Sequence, residues 1–465
     1  MAFIRISQGS WTFKEKFAIH QQYGKIFTVV IPTTCEISVA DATVARNILT
    51  QRVAFIKPHA LLGKLEDFGP NLATVDGNQW QRHRRVTSRA FHDETYRAVW
   101  NEAFHRATVI FASWSNTTEI DDTKTDISTL ALGILLKVSF NVDGARKTGV
   151  DDIVSLQEHL ETYLRGLTDP TCDRAQTDKS RDALKVFTKR LLEDSKASND
   201  SQTPDLLSSM LSSAGQSHLS DDEVTGNLFL FFFAGHETSA SALVYIIHLL
   251  AIFPQWQDWA IDEVNRVVSH ITVDTTRDFE VVYSRLKRLR ALLYETLRLY
   301  GPVPRIVRAT NDQGQTVNFG DKEIILPPNL PVNVNAIALH TDPEVWGQDS
   351  LDWNPGRWIS SYMEPSHEEE LFPGLSRYFF GWGAGPRICP GQRFSQIEVL
   401  SVLVCLLREY RVSLVAQEGW TAEETRLHAL HLVESSTVGL TLQMPSTSLI
   451  RISRRKRVTY CNGTV

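Results

Sequence analysis

The chain has 465 residues, 42% of them hydrophobic, and a formal net charge of −6. That length and apolar content suffice for a sizeable core, in one large helical domain or two ordinary ones. The acidic balance argues against a nucleic-acid binder, which would usually be basic. The five cysteines, Cys35, Cys172, Cys389, Cys405 and Cys461, are scattered and form no C-x-x-C pair. This argues against a disulfide framework and against a zinc cluster.

Residues 1–22 carry Arg5, Lys14, Glu15 and Lys16 and no apolar run of bilayer-spanning length, and no other stretch reaches that length either. The densest run, Leu228 to Ala234, reads by its length as a buried helix segment. Asn116, Asn199 and Asn462 match the glycosylation acceptor pattern, but without a secretion signal they are taken as chance matches. Up to about residue 57 a short helix mixes with strand-like runs at 26–31 and 36–39. Residues 58–76 are loop-rich, 78–112 read as helix, and 195–204 as a flexible loop. Ser220-Asp-Asp-Glu223 is a capping box that opens a long helix, and Pro254 stops it. Its length of about 48 Å, from 1.5 Å per residue, crosses a large domain. Pro302, Pro304, Pro327, Pro328 and Pro331 bracket short strands, and a last helix spans 394–407.

The most informative residue is Cys389, in the run Phe380-Gly-Trp-Gly-Ala-Gly-Pro-Arg-Ile-Cys-Pro-Gly391. The glycines let the loop turn tightly and bring backbone N–H groups toward the sulfur. The following helix N-terminus also favours negative charge there. A thiolate held in this way is a ligand for haem iron. Upstream, Ala234-Gly-His-Glu-Thr-Ser239 places an acid, Glu237, beside a hydroxyl, Thr238, in an otherwise apolar helix. That pair suits proton delivery to a bound ligand; the plainer alternative is a hydroxyl bonded back to its own helix. Glu295 and Arg298 lie at i, i+3, and Arg357 sits in the turn Trp353-Asn-Pro-Gly-Arg-Trp358, so one carboxylate between two guanidiniums could lock that turn under the cysteine loop. Trp80 and Arg84 offer two donors on one helix face and suit a propionate, with Arg308 and Arg387 as further partners. Arg82, Arg85 and Arg89 form another stripe, either a solvated face or a docking patch for an acidic electron donor.

In this order and spacing the motifs resemble the cytochrome P-450 superfamily, over nearly the whole chain, and most closely its fungal microsomal members. The resemblance implies a mainly α protein, a triangular helical prism with a small β region, as one domain over 1–465 in which 1–22 and 444–465 are peripheral. It implies haem b with Cys389 as axial iron ligand. Thr238 and Glu237 would relay protons, Trp80, Arg84, Arg308 and Arg387 would hold the propionates, and Glu295, Arg298 and Arg357 would form a structural triad. The reaction would be insertion of one oxygen atom of O2 into a small, largely apolar organic substrate in secondary metabolism. Electrons would come from NADPH through NADPH-cytochrome P-450 reductase, to a monomer. Pocket linings are expected at 58–72, 229–234, 303–307 and 435–437; Arg305 is expected to face solvent.

Two departures stand out. Trp382 occupies a position where the family usually has Phe; its N–H or larger ring is expected to weaken sulfur donation and raise the iron potential. By the same resemblance, the chain is also expected to start beyond the family's usual membrane helix and hinge. The endoplasmic reticulum's cytosolic face with peripheral membrane contact, and a soluble cytosolic form, are therefore both open. Competing readings are a haem-thiolate isomerase, dehydratase or peroxygenase that does not use O2, a haem-binding sensor without turnover, and a thiol hydrolase built on Cys389. The intact Glu237-Thr238 pair speaks against the first two. The hydrolase lacks a base in the loop.

Overall fold

The computed structural model describes residues 10–31, 34–142, 153–169, 171–197, 205–212, 215, 218–268, 279–360, 369–371 and 373–455. Asn199, Cys461, Asn462, most of the loop expected at 195–204 and the ends of both peripheral segments lie outside them.

The helices that frame the site are α1 (Gly77–Ser88), α2 (Asp93–Trp114), α3 (Thr123–Phe140), α4 (Ile153–Thr168), α5 (Arg174–Ala197), α6 (Asp221–Ile252), α7 (Pro254–Val268), α8 (Lys287–Tyr300), α9 (Ala336–Thr341), α10 (Gln392–Glu409) and α11 (Ala422–Glu434). Besides a two-residue pair at Ile359–Ser360 and Glu370–Leu371, the strands are β1 (Ile26–Ile31), β2 (Thr34–Val39), β3 (Phe55–Ile56), β4 (Arg305–Thr310), β5 (Gln315–Phe319), β6 (Lys322–Leu326), β7 (Pro331–Asn335), β8 (Tyr410–Leu414), β9 (Thr437–Val438), β10 (Leu442–Gln443) and β11 (Ile450–Arg454).

The long helix α6 starts where its cap demands. The Glu223 N–H donates to Ser220 Oγ at 3.3 Å, and the Ser220 N–H donates to Glu223 Oε2 at 2.9 Å. It ends at Ile252, just before Pro254. Being apolar on all sides, it is buried on all sides. Contrary to the expectation that no stretch reaches bilayer-spanning length, among the described residues it is the one helix long and apolar enough to cross a membrane, but 72% of its apolar window is packed inside the protein. The helix expected over 78–112 is two helices. The chain breaks at residues 89–92, and Asp93 and Glu94 open α2 with two carboxylates in its first turn.

The main sheet has the order β1-β2-β7-β4-β3. The β2–β7 pair is parallel, with Ile37 opposite Val332, and the other pairs are antiparallel. Two apolar cores result. One is built by α2, α3, α6, α8 and α10, and the other lies under the sheet. The cysteine loop spans the seam between them: Phe380 and Ala384 belong to the sheet core, and Phe394 and Ile397 to the helical core. Burial on both flanks fixes the loop against two independently packed bodies.

Candidate active site

The loop turns through left-handed glycines. Gly383 has φ +77° and Gly385 has φ +71°, where a side chain would be strained, and a Cβ on Gly385 would overlap the Leu49 carbonyl. The Gly383 N–H donates to Phe380 O at 2.8 Å and the Cys389 N–H to Trp382 O at 3.0 Å. Helix α10 starts three residues after the sulfur. The Cys389 thiol has exposed surface, yet burial by the surrounding protein is its largest influence and pushes its pKa up. It therefore faces an enclosed space rather than bulk water. The Gly391 N–H and the Arg84 charge act the other way and favour the thiolate.

Beside this space lies a cluster of cations. The Arg387 guanidinium sits 5.7 Å over the ring of buried Trp80, pairs with Asp76, and leaves its Nε buried with no partner among the described residues. Arg308 donates to Val307 O at 2.8 Å, and its pKa is lowered to about 10 by burial and by Arg387. Lys57, which the motif pattern did not mark, donates to Leu72 O at 2.5 Å and Val75 O at 2.7 Å; its pKa falls to about 7 through burial and Arg387. Burial is the largest cause of these shifts; by charge count, Asp76 is a single carboxylate set against Lys57, Arg308 and Arg387. A thiol facing an enclosed space and a surplus of buried cations fit an iron-bearing macrocycle with two carboxylates. Cys389 would hold the metal, and Trp80, Arg84, Arg308 and Arg387 the carboxylates.

On α6 the Thr238 hydroxyl donates to Ala234 O at 2.8 Å, back to its own helix. Glu237 Oε1 accepts from Thr441 Oγ1 and from Gln443 Nε2, both at 2.6 Å. Ser239 faces Glu398 of α10, an acid in mid-helix that none of the sequence motifs includes. Both Glu398 oxygens are buried with no hydrogen-bond partner among the described residues. The Ser239 hydroxyl is near enough to lower the Glu398 pKa somewhat, without closing a hydrogen bond. Burial dominates and pushes the Glu398 pKa from 4.5 up to about 8. Above pH 4.5 the unfolded chain gives up a proton that the folded protein keeps. The stability lost at this residue therefore grows until about pH 8. Glu398→Gln is expected to be more stable than the parent by up to about 4 kcal/mol at pH 8, with a gap that closes toward pH 4.5. Thermal unfolding from pH 4.5 to 8 checks this.

Glu295 stands between the two expected arginines. Arg298 grips it bidentately, Nε to Oε2 and Nη2 to Oε1, both at 2.8 Å, and Arg357 Nε reaches Oε1 at 2.9 Å. The link from here to the cysteine loop is His340, which the sequence did not reveal. Its Nδ1 lies 3.1 Å from Arg298 O, and its Nε2 accepts the Phe380 N–H at 2.8 Å. These partners assign the proton to Nδ1.

Two expectations are corrected. The Trp382 indole N–H donates to Ser395 Oγ at 3.1 Å, so it is not aimed at the sulfur, and the ring packs edge-on to Tyr294 and Phe379. Arg82 is no member of a free stripe. It donates to His218 O at 3.0 Å and pairs with Glu223, leaving Arg85 and Arg89 exposed. Arg305, expected to face solvent, is half-buried and so remains partly exposed.

The fold and the thiol-and-cation site together define a haem-thiolate type of protein. The cytochrome P450 family profile matches residues 4–437, and the chain belongs to that family. Its haem-iron cofactor and oxygen-inserting oxidoreductase activity follow from that membership. Similar curated proteins include a cytochrome P450 monooxygenase of Arthrobotrys oligospora, 26% identical over 97% of this chain and 88% of that protein. Another is the monooxygenase prx9 of Penicillium rubens, 28% identical over 99% and 87%. A third, of Leptosphaeria maculans, is named for a phomenoic acid biosynthesis cluster and is 28% identical over 86% and 77%. Among solved structures, a zebra fish cytochrome P450 with abiraterone superposes with a TM-score of 0.75 at 19% identity, covering 95% of this chain and 98% of that one. The mainly helical architecture is thus the family's.

Proposed function

We propose that this monooxygenase uses haem b and takes electrons from NADPH through NADPH-cytochrome P-450 reductase. Its substrate would be a small, largely apolar molecule of fungal secondary metabolism. The observation that carries the reading is Cys389, on a glycine loop at the start of α10, facing an enclosed space beside buried cations that Asp76 does not balance. Haem, when bound, supplies O2 activation. The chain's own part is to hold the metal at Cys389, neutralise the propionates with Arg84, Arg308 and Arg387, orient the macrocycle on Trp80, and move protons at Glu237 and Thr238. Glu295, Arg298 and Arg357 brace the turn behind the loop. The apolar run 229–234 of α6 supports an apolar substrate, and the cluster name of the Leptosphaeria relative supports secondary metabolism. The same reading takes the protein as a monomer and one domain, in peripheral contact with the endoplasmic reticulum membrane.

Spectral titration of the haem-loaded protein against a panel of terpenoids and polyketides, followed by turnover with NADPH and reductase under 18O2, tests it. One labelled oxygen in the product is expected. Turnover of a shifting compound without label would overturn the reading.

A further inference from the structure

A cavity of about 440 Å³ lies between α4, α6 and the β9–β10 turn, and its walls include Lys124, Glu158, Glu161, His236, Glu237 and Gln443. Glu158 and Glu161 are exposed on α4, while Glu237 is half-buried on α6, so the cavity leads from the surface to the acid beside Thr238. A chain of hydrogen bonds crosses its wall. Lys124 Nζ donates to Gln443 Oε1 at 2.7 Å; Gln443 Nε2 donates to Glu237 Oε1 at 2.6 Å and to Thr441 Oγ1 at 3.2 Å; Thr441 Oγ1 donates to Glu237 Oε1 at 2.6 Å.

The directions in this chain are forced. A lysine only donates, so the Gln443 oxygen must face Lys124 and its NH2 must face Glu237. That NH2 also donates to Thr441, so the threonine proton goes to Glu237. Oε1 of Glu237 is therefore an acceptor twice over. Whenever the carboxyl holds a proton, it holds it on Oε2. Oε2 is buried, with no hydrogen-bond partner among the described residues.

We propose that Thr441 and Gln443, braced by Lys124, are positioning residues that assign the proton of Glu237 to Oε2 and so orient proton supply from the cavity toward the reaction site. This deepens the monooxygenase reading above and rests on it for its catalytic consequence. Loss of either partner frees Oε1 to take the proton, and protons then reach the site in the wrong geometry more often.

Gln443→Leu and Thr441→Val test it in two arms. First, infrared difference spectra of the ferric, haem-loaded protein, grown on 13C-glutamate, isolate the Glu237 carboxyl band by its loss in Glu237→Gln. This band is expected to shift in both variants, and an unshifted band would overturn the proposal. Second, NADPH-driven O2 consumption with reductase, without added substrate, is compared in H2O and D2O. A solvent isotope effect raised about twofold is expected in both variants, with Lys124→Met changing it in the same direction by less. A shifted band with an unchanged isotope effect would overturn the positioning role. If the parent protein consumes no O2 with NADPH, the electron-transfer reading fails, while the infrared arm still decides the assignment of the proton.

Discussion

Glu295→Gln is expected to yield a protein that loses most of its haem and is destabilised by about 3–5 kcal/mol, as for removal of one partner of a buried ion pair. Both Glu295 and Arg298 are fully buried. Oε1 accepts from Arg298 Nη2, Arg357 Nε and the Asn354 N–H, and Oε2 from Arg298 Nε and Trp358 Nε1. Every partner is a donor, so a glutamine in either orientation turns its NH2 against at least two of them. Arg298→Lys should act in the same direction. It loses the fork that ties Glu295 to the carbonyls of His340, Ser350 and Asp352. Thermal unfolding and the Soret-to-protein absorbance ratio report both effects. A Glu295→Gln protein with full haem and parental stability would show that the network does not hold the loop.

His340→Phe is expected to retain haem at first and then to lose the thiolate-type spectrum of the reduced carbon monoxide complex faster than the parent. Phenylalanine keeps the stack on Phe379 but removes both polar contacts of the imidazole. The Phe380 N–H and the Arg298 carbonyl are then buried unpaired, at about 1–3 kcal/mol each. The variant should also respond differently to acid. Burial and Arg298 lower the His340 pKa from 6.5 to about 3. The unfolded chain therefore binds a proton below pH 6.5 that the folded protein refuses down to about pH 3, and stability falls as pH drops through that window. Without the imidazole this contribution to acid lability disappears. His20 and His248, whose pKa values are lowered to about 4 by burial, keep theirs. Thermal midpoints from pH 7 to 4 should fall less steeply in His340→Phe; parallel slopes would contradict the assignment.

What the sequence disclosed and what it withheld divide by range. Cys389, the capped start of α6 and its stop at Pro254 are local, written in neighbouring residues, and were readable. Thr421 with Glu424 is an equally local capping box that opens α11 and could have been read. The break at 89–92 escaped because the apolar pattern continues across it. His340, Lys57 and the Thr441–Gln443 pair could not be found, because each acquires its role only from partners far away in the chain. Gln443 meets Glu237 from 206 positions away, and Phe380 lies 40 residues beyond His340. Arg82 was misread for the same reason, since Glu223, 141 residues on, takes it out of the basic stripe. Glu398 is the intermediate case. An acid in the middle of the apolar helix α10 was a visible signal, but its isolation opposite Ser239 was not.

The central claim is that Cys389 supplies the iron ligand, and the carbon monoxide spectrum of the reduced, haem-loaded protein tests it most directly. The parent should give a strongly red-shifted Soret band, and Cys389→Ala reconstituted with haem should give none. A parent without the red shift, or a red shift that survives Cys389→Ala, would contradict the account.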